Sequence, residues 1–215
     1  MLGPLPPYAQ LRDFLPKRDH RRILEWVVSN AAIFSAAAVT DGEVGSEYEI
    51  SPEDRIALTS KNLGPFEPML RKHLLAALEE IVACTGTPLS PQSLDLEFSA
   101  YGNGAFFAPH TDISTGLNRA PLSGEPGQDR ILSAVYYFHR EPRAFSDGAL
   151  RLYRFGASPT GSDQDSMNYI DLEPLNNSLV AFPSTVIHEV RPVQCPSGSF
   201  EDYRFALNCW YCRVL

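Results

Sequence analysis

The stretch LDLEFSAYGNGAFFAPHTD, Leu94 to Asp112, decides how this chain is read. Leu94–Tyr101 has the composition of a β-strand, the glycines at 102 and 104 flank an asparagine in a turn-rich break, and Phe106–Asp112 reads as a second short strand. The same rhythm continues to the end of the chain. Strand-like runs at Ile131–His139, Ala149–Phe155, Tyr169–Leu172, Ser178–Phe182, Ile187–Val193 and Tyr203–Val214 are separated by Gly, Pro, Ser and Asp. Upstream, two segments have helical character. His20–Phe34 sets Ile23, Leu24, Val27, Val28 and Ala31 on one helical face, with Asp19 placed to cap it. Phe66–Cys84 opens after Pro65 and ends near Gly86, the usual proline-start, glycine-end asymmetry. Two helices followed by about eight short strands predict an α+β fold with a double-stranded β-helix, or jelly roll.

The 215 residues fit one domain, 1–215, with about 1–93 as a helical support region and about 94–215 as the jelly-roll core. A hydrophobic share of 44% with 20% charged residues is that of a globular protein. No stretch approaches the roughly 18 consecutive apolar residues of a membrane span, and Met1–Tyr8 does not read as a signal peptide. A net charge of −8 with scattered arginines argues against a nucleic-acid partner, which needs clustered Lys and Arg. The six acidic residues between Asp41 and Asp54 read as a solvated loop rather than a substrate surface. Cys209-x-x-Cys212 falls on a strand, where residues three apart point to opposite faces, so structural thiols are expected in place of a zinc or redox pair. A reducing, cytoplasmic setting fits that usage. Ile113–Asp129 and Gly156–Asn168 are long insertions, and the first is a candidate lid.

Of the five histidines, His20 and His73 fall in helical segments and His139 ends a strand. His110 and His188 stand out by their neighbours. Residues two apart on a strand share a face, so the His110 imidazole and the Asp112 carboxylate are expected to converge. His188 follows the apolar run Leu-Val-Ala-Phe and a turn, and supplies a third ligand. Two histidines and a carboxylate with open positions suit a non-haem Fe(II) oxygenase, and zinc remains the alternative metal. On the last strand Arg204, Ala206, Asn208 and Trp210 share one face. A lone arginine there makes sense if the face lines a pocket that holds a carboxylate.

With these pieces in place, Leu94–Val214 resembles the Fe(II)- and 2-oxoglutarate-dependent dioxygenases, in the prolyl 4-hydroxylase branch and its hypoxia-inducible-factor relatives. The resemblance is carried by Tyr101-Gly-Asn-Gly before His110-x-Asp112, by Arg130-Ile-Leu-Ser-Ala-Val-Tyr-Tyr-Phe, by Gly148-Ala-Leu-Arg-Leu-Tyr, by Asp171-Leu-Glu-Pro, by His188-Glu-Val-Arg-Pro-Val, and by Tyr203-Arg-Phe-Ala-Leu-Asn-Cys-Trp-Tyr. It implies that His110, Asp112 and His188 hold the iron, and that Arg204 binds the distal carboxylate of 2-oxoglutarate with help from Tyr137. It also implies that Tyr101, Asn208 and Trp210 line the pocket. The cofactor is then Fe(II), with 2-oxoglutarate and O2 as cosubstrates and ascorbate as a reductant. The implied reaction is hydroxylation of a prolyl residue in a peptide or protein, with release of succinate and CO2. The alternatives are the same chemistry on a free amino acid or natural product, or a catalytically silent jelly-roll binding module. Asp147-Gly148 departs from the family's usual pair of glycines, and the His188–Arg204 interval is longer than in many relatives.

Overall fold

The computed structural model describes residues 3–38, 51–91, 93–113, 128–157 and 168–214. Among the described residues before Ser93 there are four short strands: β1 (Ala9–Arg12), β2 (Ser35–Ala36), β3 (Arg55–Ile56) and β4 (Leu58–Ser60). Helix α1 (Lys17–Ser29) follows β1, and α2 (Glu67–Ala76) and α3 (Leu78–Thr85) follow β4. The remaining strands are β5 (Ser93–Tyr101), β6 (Phe106–His110), β7 (Gln128–Phe138), β8 (Ser146–Asp147), β9 (Leu150–Tyr153), β10 (Tyr169–Leu172), β11 (Ser178–Pro183), β12 (His188–Val190), β13 (Val193–Gln194) and β14 (Arg204–Val214).

Seven strands form an antiparallel sheet in the order β1-β11-β7-β14-β5-β4-β2, and five form a second in the order β10-β9-β12-β6-β3. These are the two sheets of a jelly roll within an α+β fold, as the strand pattern predicts. The period of two along β14 divides the large sheet cleanly. Phe205, Leu207, Cys209 and Tyr211 join Phe98, Tyr136 and Leu132 in a core that includes Ile23 and Val27 of α1, Leu70 and Leu74 of α2, and Ile81 of α3. Each of those aliphatic side chains contributes about 1.5–3 kcal/mol by leaving water. The Tyr211 hydroxyl donates to the Leu74 carbonyl at 2.8 Å and so ties α2 to the sheet. On the opposite face, Ala206, Tyr137, Val180 and Phe182 pack with Leu150 and Leu152 of the small sheet. The cavity described below opens between the sheets.

Several expectations are corrected in detail. Strands from the first 93 residues enter both sheets, because β1 pairs with β11 and β3 with β6; runs of two to four residues are too short to show a period. Helix α1 starts three residues early, behind Pro16, so Asp19 lies in its first turn and caps nothing. The expected second helix divides at Ala77 (ψ −9°) into α2 and α3, yet Leu70, Leu74 and Ile81 keep facing the sheet. It ends at Gly86 in the left-handed conformation, as its sequence predicts. Cys209 and Cys212 are both buried free thiols, and burial pushes both thiols up. Most of the lid candidate and of the acidic segment lies outside the described residues, which include only Ser51–Asp54 of the latter. Among those described, no helix is long and apolar enough to cross a membrane.

Candidate metal and cosubstrate site

His110 and His188 sit opposite each other on paired strands β6 and β12. Each ring is locked through Nδ1. His110 Nδ1 meets the Ala108 carbonyl at 2.8 Å and His188 Nδ1 meets the Val186 carbonyl at 2.9 Å. A carbonyl only accepts, so both Nδ1 atoms carry the proton and both Nε2 lone pairs are left for a ligand, a common way for proteins to fix the tautomer of a metal-binding histidine. The ring centroids are 4.2 Å apart.

Asp112 reaches the same point, though by a route different from the one expected. Strand β6 ends at His110, so strand alternation does not orient Asp112. Its backbone N–H donates to the Ser184 carbonyl at 3.0 Å. Its Oδ2 accepts from Ser133 Oγ at 2.5 Å, and Ser133 in turn meets Ser184 Oγ at 2.9 Å. Asp112 Oδ1 lies 3.7 Å from His110 Nε2, and Oδ2 lies 3.5 Å from His188 Nε2. The two serines were not singled out from sequence. The signal was present, since Ser133 puts a hydroxyl in the middle of an apolar strand.

The ligand-capable atoms of His110, Asp112 and His188 all lie within 4.8 Å of one another. Burial and the neighbouring His188 hold the His110 imidazole well below its ordinary range, which keeps it neutral. Burial would raise the Asp112 carboxyl, but the two imidazoles, the Ser133 hydroxyl and Arg130 outweigh it and hold the group below the usual carboxylate range. Two imidazoles whose Nε2 atoms point at an ionised carboxylate make a donor set ready for a divalent cation, and two-histidine, one-carboxylate sets with open positions suit Fe(II).

The same cavity is lined by Arg204, Tyr137, Tyr101, Asn208 and Trp210, so all five pocket residues expected from sequence come together. Arg204 is 1% exposed, and its Nε and Nη1 have no hydrogen-bond partner. The buried Tyr137 hydroxyl also lacks one, and burial pushes its pKa up to about 12, which keeps the proton in place. Tyr101 and Tyr137 flank the guanidinium, each ring centroid 4.9 Å from its carbon. A buried cation and a buried hydroxyl left unsatisfied together are costly unless something arrives to accept from both. A carboxylate does so. Asn208 Nδ2 donates to Ser99 Oγ at 2.8 Å, and the Trp210 ring lies beneath the Arg130 guanidinium at 3.7 Å.

The departure at Asp147-Gly148 has a structural reading. Both residues have positive φ, 60° and 72°. A Cβ on Gly148 would stand 2.7 Å from Val193 Cγ2 and 2.9 Å from Arg204 Cδ. Gly148 therefore gives Arg204 its room, while Asp147 bears a conformation that its short polar side chain tolerates. The other histidines do structural work. His20 hydrogen-bonds Tyr136 at 2.7 Å, His139 meets the Arg140 carbonyl, and His73 packs on Phe14.

Two further residues, Arg55 and Phe107, line the cavity without a signal in the sequence. Phe107 stacks on His110 at 3.6 Å, and the Arg55 guanidinium lies over the Phe107 ring at 4.6 Å. No local pattern reveals Arg55, because the residues it meets lie more than forty positions downstream.

Comparison with known proteins agrees with this geometry. The family described as the 2OG-Fe(II) oxygenase superfamily matches residues 96–212. An uncharacterized PKHD-type hydroxylase of Synechocystis sp. is 26% identical over 204 residues, 94% of this chain and 62% of its own length. The chain thus spans about three fifths of that relative. Among solved structures, a Pseudomonas putida prolyl-4-hydroxylase superposes with a TM-score of 0.64 at 21% identity, covering 96% of this chain and 93% of that one. A prolyl hydroxylase in complex with a hypoxia-inducible-factor peptide fragment, from Trichoplax adhaerens, gives 0.62 at 16% identity, covering 95% and 83%. The family uses Fe(II), 2-oxoglutarate and O2, the groups that two imidazoles and a carboxylate, set beside an unsatisfied arginine, are equipped to receive. The chain belongs to the 2OG-Fe(II) oxygenase superfamily.

Proposed function

We propose that this enzyme hydroxylates a prolyl residue in a peptide or protein, with His110, Asp112 and His188 holding the iron and Arg204 with Tyr137 holding the distal carboxylate of 2-oxoglutarate. The observation that carries the site assignment is the pair of buried, unpartnered donors, Arg204 and Tyr137, in the cavity that also holds the triad. The prolyl reading is supported by the likeness to prolyl hydroxylases that cover nearly the whole chain.

Bound there, Fe(II) with 2-oxoglutarate supplies the oxidising chemistry that turns O2 and the cosubstrate into a hydroxylated product, succinate and CO2. The protein's part is orientation and exclusion of water. The Ala108 and Val186 carbonyls keep both Nε2 lone pairs aimed at one point, and Ser133 fixes the carboxylate there. Arg204 anchors one end of the cosubstrate by charge, while Tyr137 keeps its proton and donates to the same carboxylate. Leu150, Val190 and Phe107 give the cavity apolar walls suited to a pyrrolidine ring.

The test is to incubate Fe(II)-loaded protein with 2-oxoglutarate, O2 and a pool of proline-containing peptides, and to locate added oxygen by mass spectrometry. One oxygen on proline, lost in Asp112→Ala, is expected. Oxygen on another residue, or only on a free amino acid supplied in parallel, contradicts the prolyl reading. Wild-type activity in Asp112→Ala contradicts the ligand assignment.

A further inference from the structure

We propose that Arg55 is a substrate-binding residue whose Nε–H takes a neutral carbonyl oxygen of the peptide entering the cavity; the inference rests on the peptidyl reading above. Arg55 lines the same cavity as the triad and Arg204. Its side chain is only 9% exposed, yet its Nε has no hydrogen-bond partner. The guanidinium lies over the Phe107 ring at 4.6 Å, and that ring stacks on His110 with centroids 3.6 Å apart. The free donor therefore shares an aromatic neighbour with a residue assigned to the metal.

The charge around Arg55 says which acceptor it suits. Its Nη2 already faces Glu97 Oε1 at 3.5 Å and Ser99 Oγ at 3.3 Å. A second carboxylate brought to this guanidinium would meet the charge of Glu97, whereas a neutral amide carbonyl would not. Arg204 is the contrasting case. Two of its nitrogens lack partners, and no ion pair is formed by it among the described residues, so it suits an anion. The two arginines thus divide the work between cosubstrate carboxylate and peptide backbone. Buried donors left without an acceptor are uncommon and call for an occupant, and a site built to hydrogen-bond one group discriminates strongly against a ligand that lacks it.

Arg55→Met removes the donors and keeps much of the stem. Arg55→Lys keeps a cation for Glu97 and has no nitrogen at the Nε position, so it guards against simple misfolding. The measurements are KM and kcat for peptide-stimulated succinate formation with the proline-containing pool, and the 2-oxoglutarate dissociation constant by anaerobic calorimetry on Fe(II)-loaded protein. Both variants should raise the peptide KM by roughly tenfold, with a smaller change in kcat and little change in 2-oxoglutarate affinity. A wild-type peptide KM in both variants overturns the role of Arg55 and leaves the peptidyl reading standing. An equal loss of 2-oxoglutarate affinity assigns Arg55 to the cosubstrate pocket and also overturns it. A wild type that forms succinate but ignores every peptide overturns the peptidyl reading, and this inference with it.

Discussion

Replacing Gly148 by alanine should cripple the proposed cosubstrate pocket while every residue assigned to bind iron or 2-oxoglutarate keeps its identity. Two costs add. Gly148 has φ +72°, where an L-residue pays about 1–2 kcal/mol. The new Cβ also falls 2.7 Å from Val193 Cγ2 and 2.9 Å from Arg204 Cδ, well inside contact distance, and overpacking of this kind costs about 1–3 kcal/mol. Arg204 is buried against Tyr101 and Tyr137, so it has little room to retreat and its guanidinium must shift. Losing a well-aimed hydrogen bond to a charged group costs about 1.5–3 kcal/mol, which corresponds to roughly a 10- to 100-fold loss of 2-oxoglutarate affinity. Gly156→Ala is the control. It has φ +78° but nothing within 4 Å of its Cβ, so it pays the strain alone and should bind 2-oxoglutarate as wild type does. Urea unfolding and calorimetric titration of 2-oxoglutarate read the two effects separately. If Gly148→Ala binds 2-oxoglutarate as tightly as Gly156→Ala, the packing account of Arg204 is wrong.

Ser133→Ala removes the hydroxyl that holds Asp112 Oδ2 and should weaken metal binding by roughly 10- to 100-fold; unchanged metal affinity in a competition titration would dismiss its supporting role. Tyr137→Phe should lower 2-oxoglutarate affinity about 2- to 10-fold while leaving the metal-free protein at least as stable, because that hydroxyl has no partner to lose. A clear drop in the melting temperature of the metal-free variant would show that the hydroxyl is satisfied within the protein. Burial lowers the pKa of His20, His110 and His139 below the ordinary 6.5, so the unfolded chain binds more protons than the folded one once pH falls past that value. Stability of the metal-free protein is therefore fully present above about pH 6.5 and is lost as pH falls toward the folded pKa values. A melting temperature that stays flat or rises from pH 7 to pH 5 would contradict these shifts.

The last strand was the most legible part of the chain. Its strict period put Arg204, Asn208 and Trp210 on one face, and the same three residues line the cavity. The triad was legible as a set, but the reason given for Asp112 was not the operative one. Its position depends on Ser133 and Ser184, which come from other strands and cannot be read from His-x-Asp. The long strands β5, β7 and β14 were found close to their true bounds, whereas α1 ends at Ser29, five residues before the expected Phe34. Strands of two to four residues such as Arg55–Ile56 were missed because so short a run carries no period, and their pairing is decided by partners far away in sequence. Arg55 was hidden for the same reason. Its meaning comes from Phe107, Glu97 and Ser99, not from its neighbours in the chain.

The central claim is that this cavity turns over 2-oxoglutarate with iron held by His188 and its two partners. The most direct test is to load the protein with Fe(II) anaerobically, admit O2, and measure succinate formed from 2-oxoglutarate in the presence of the proline-containing peptides, with His188→Ala alongside. Succinate that requires both iron and His188 is the predicted result. Succinate formed equally by His188→Ala, or formed without iron, would contradict the account.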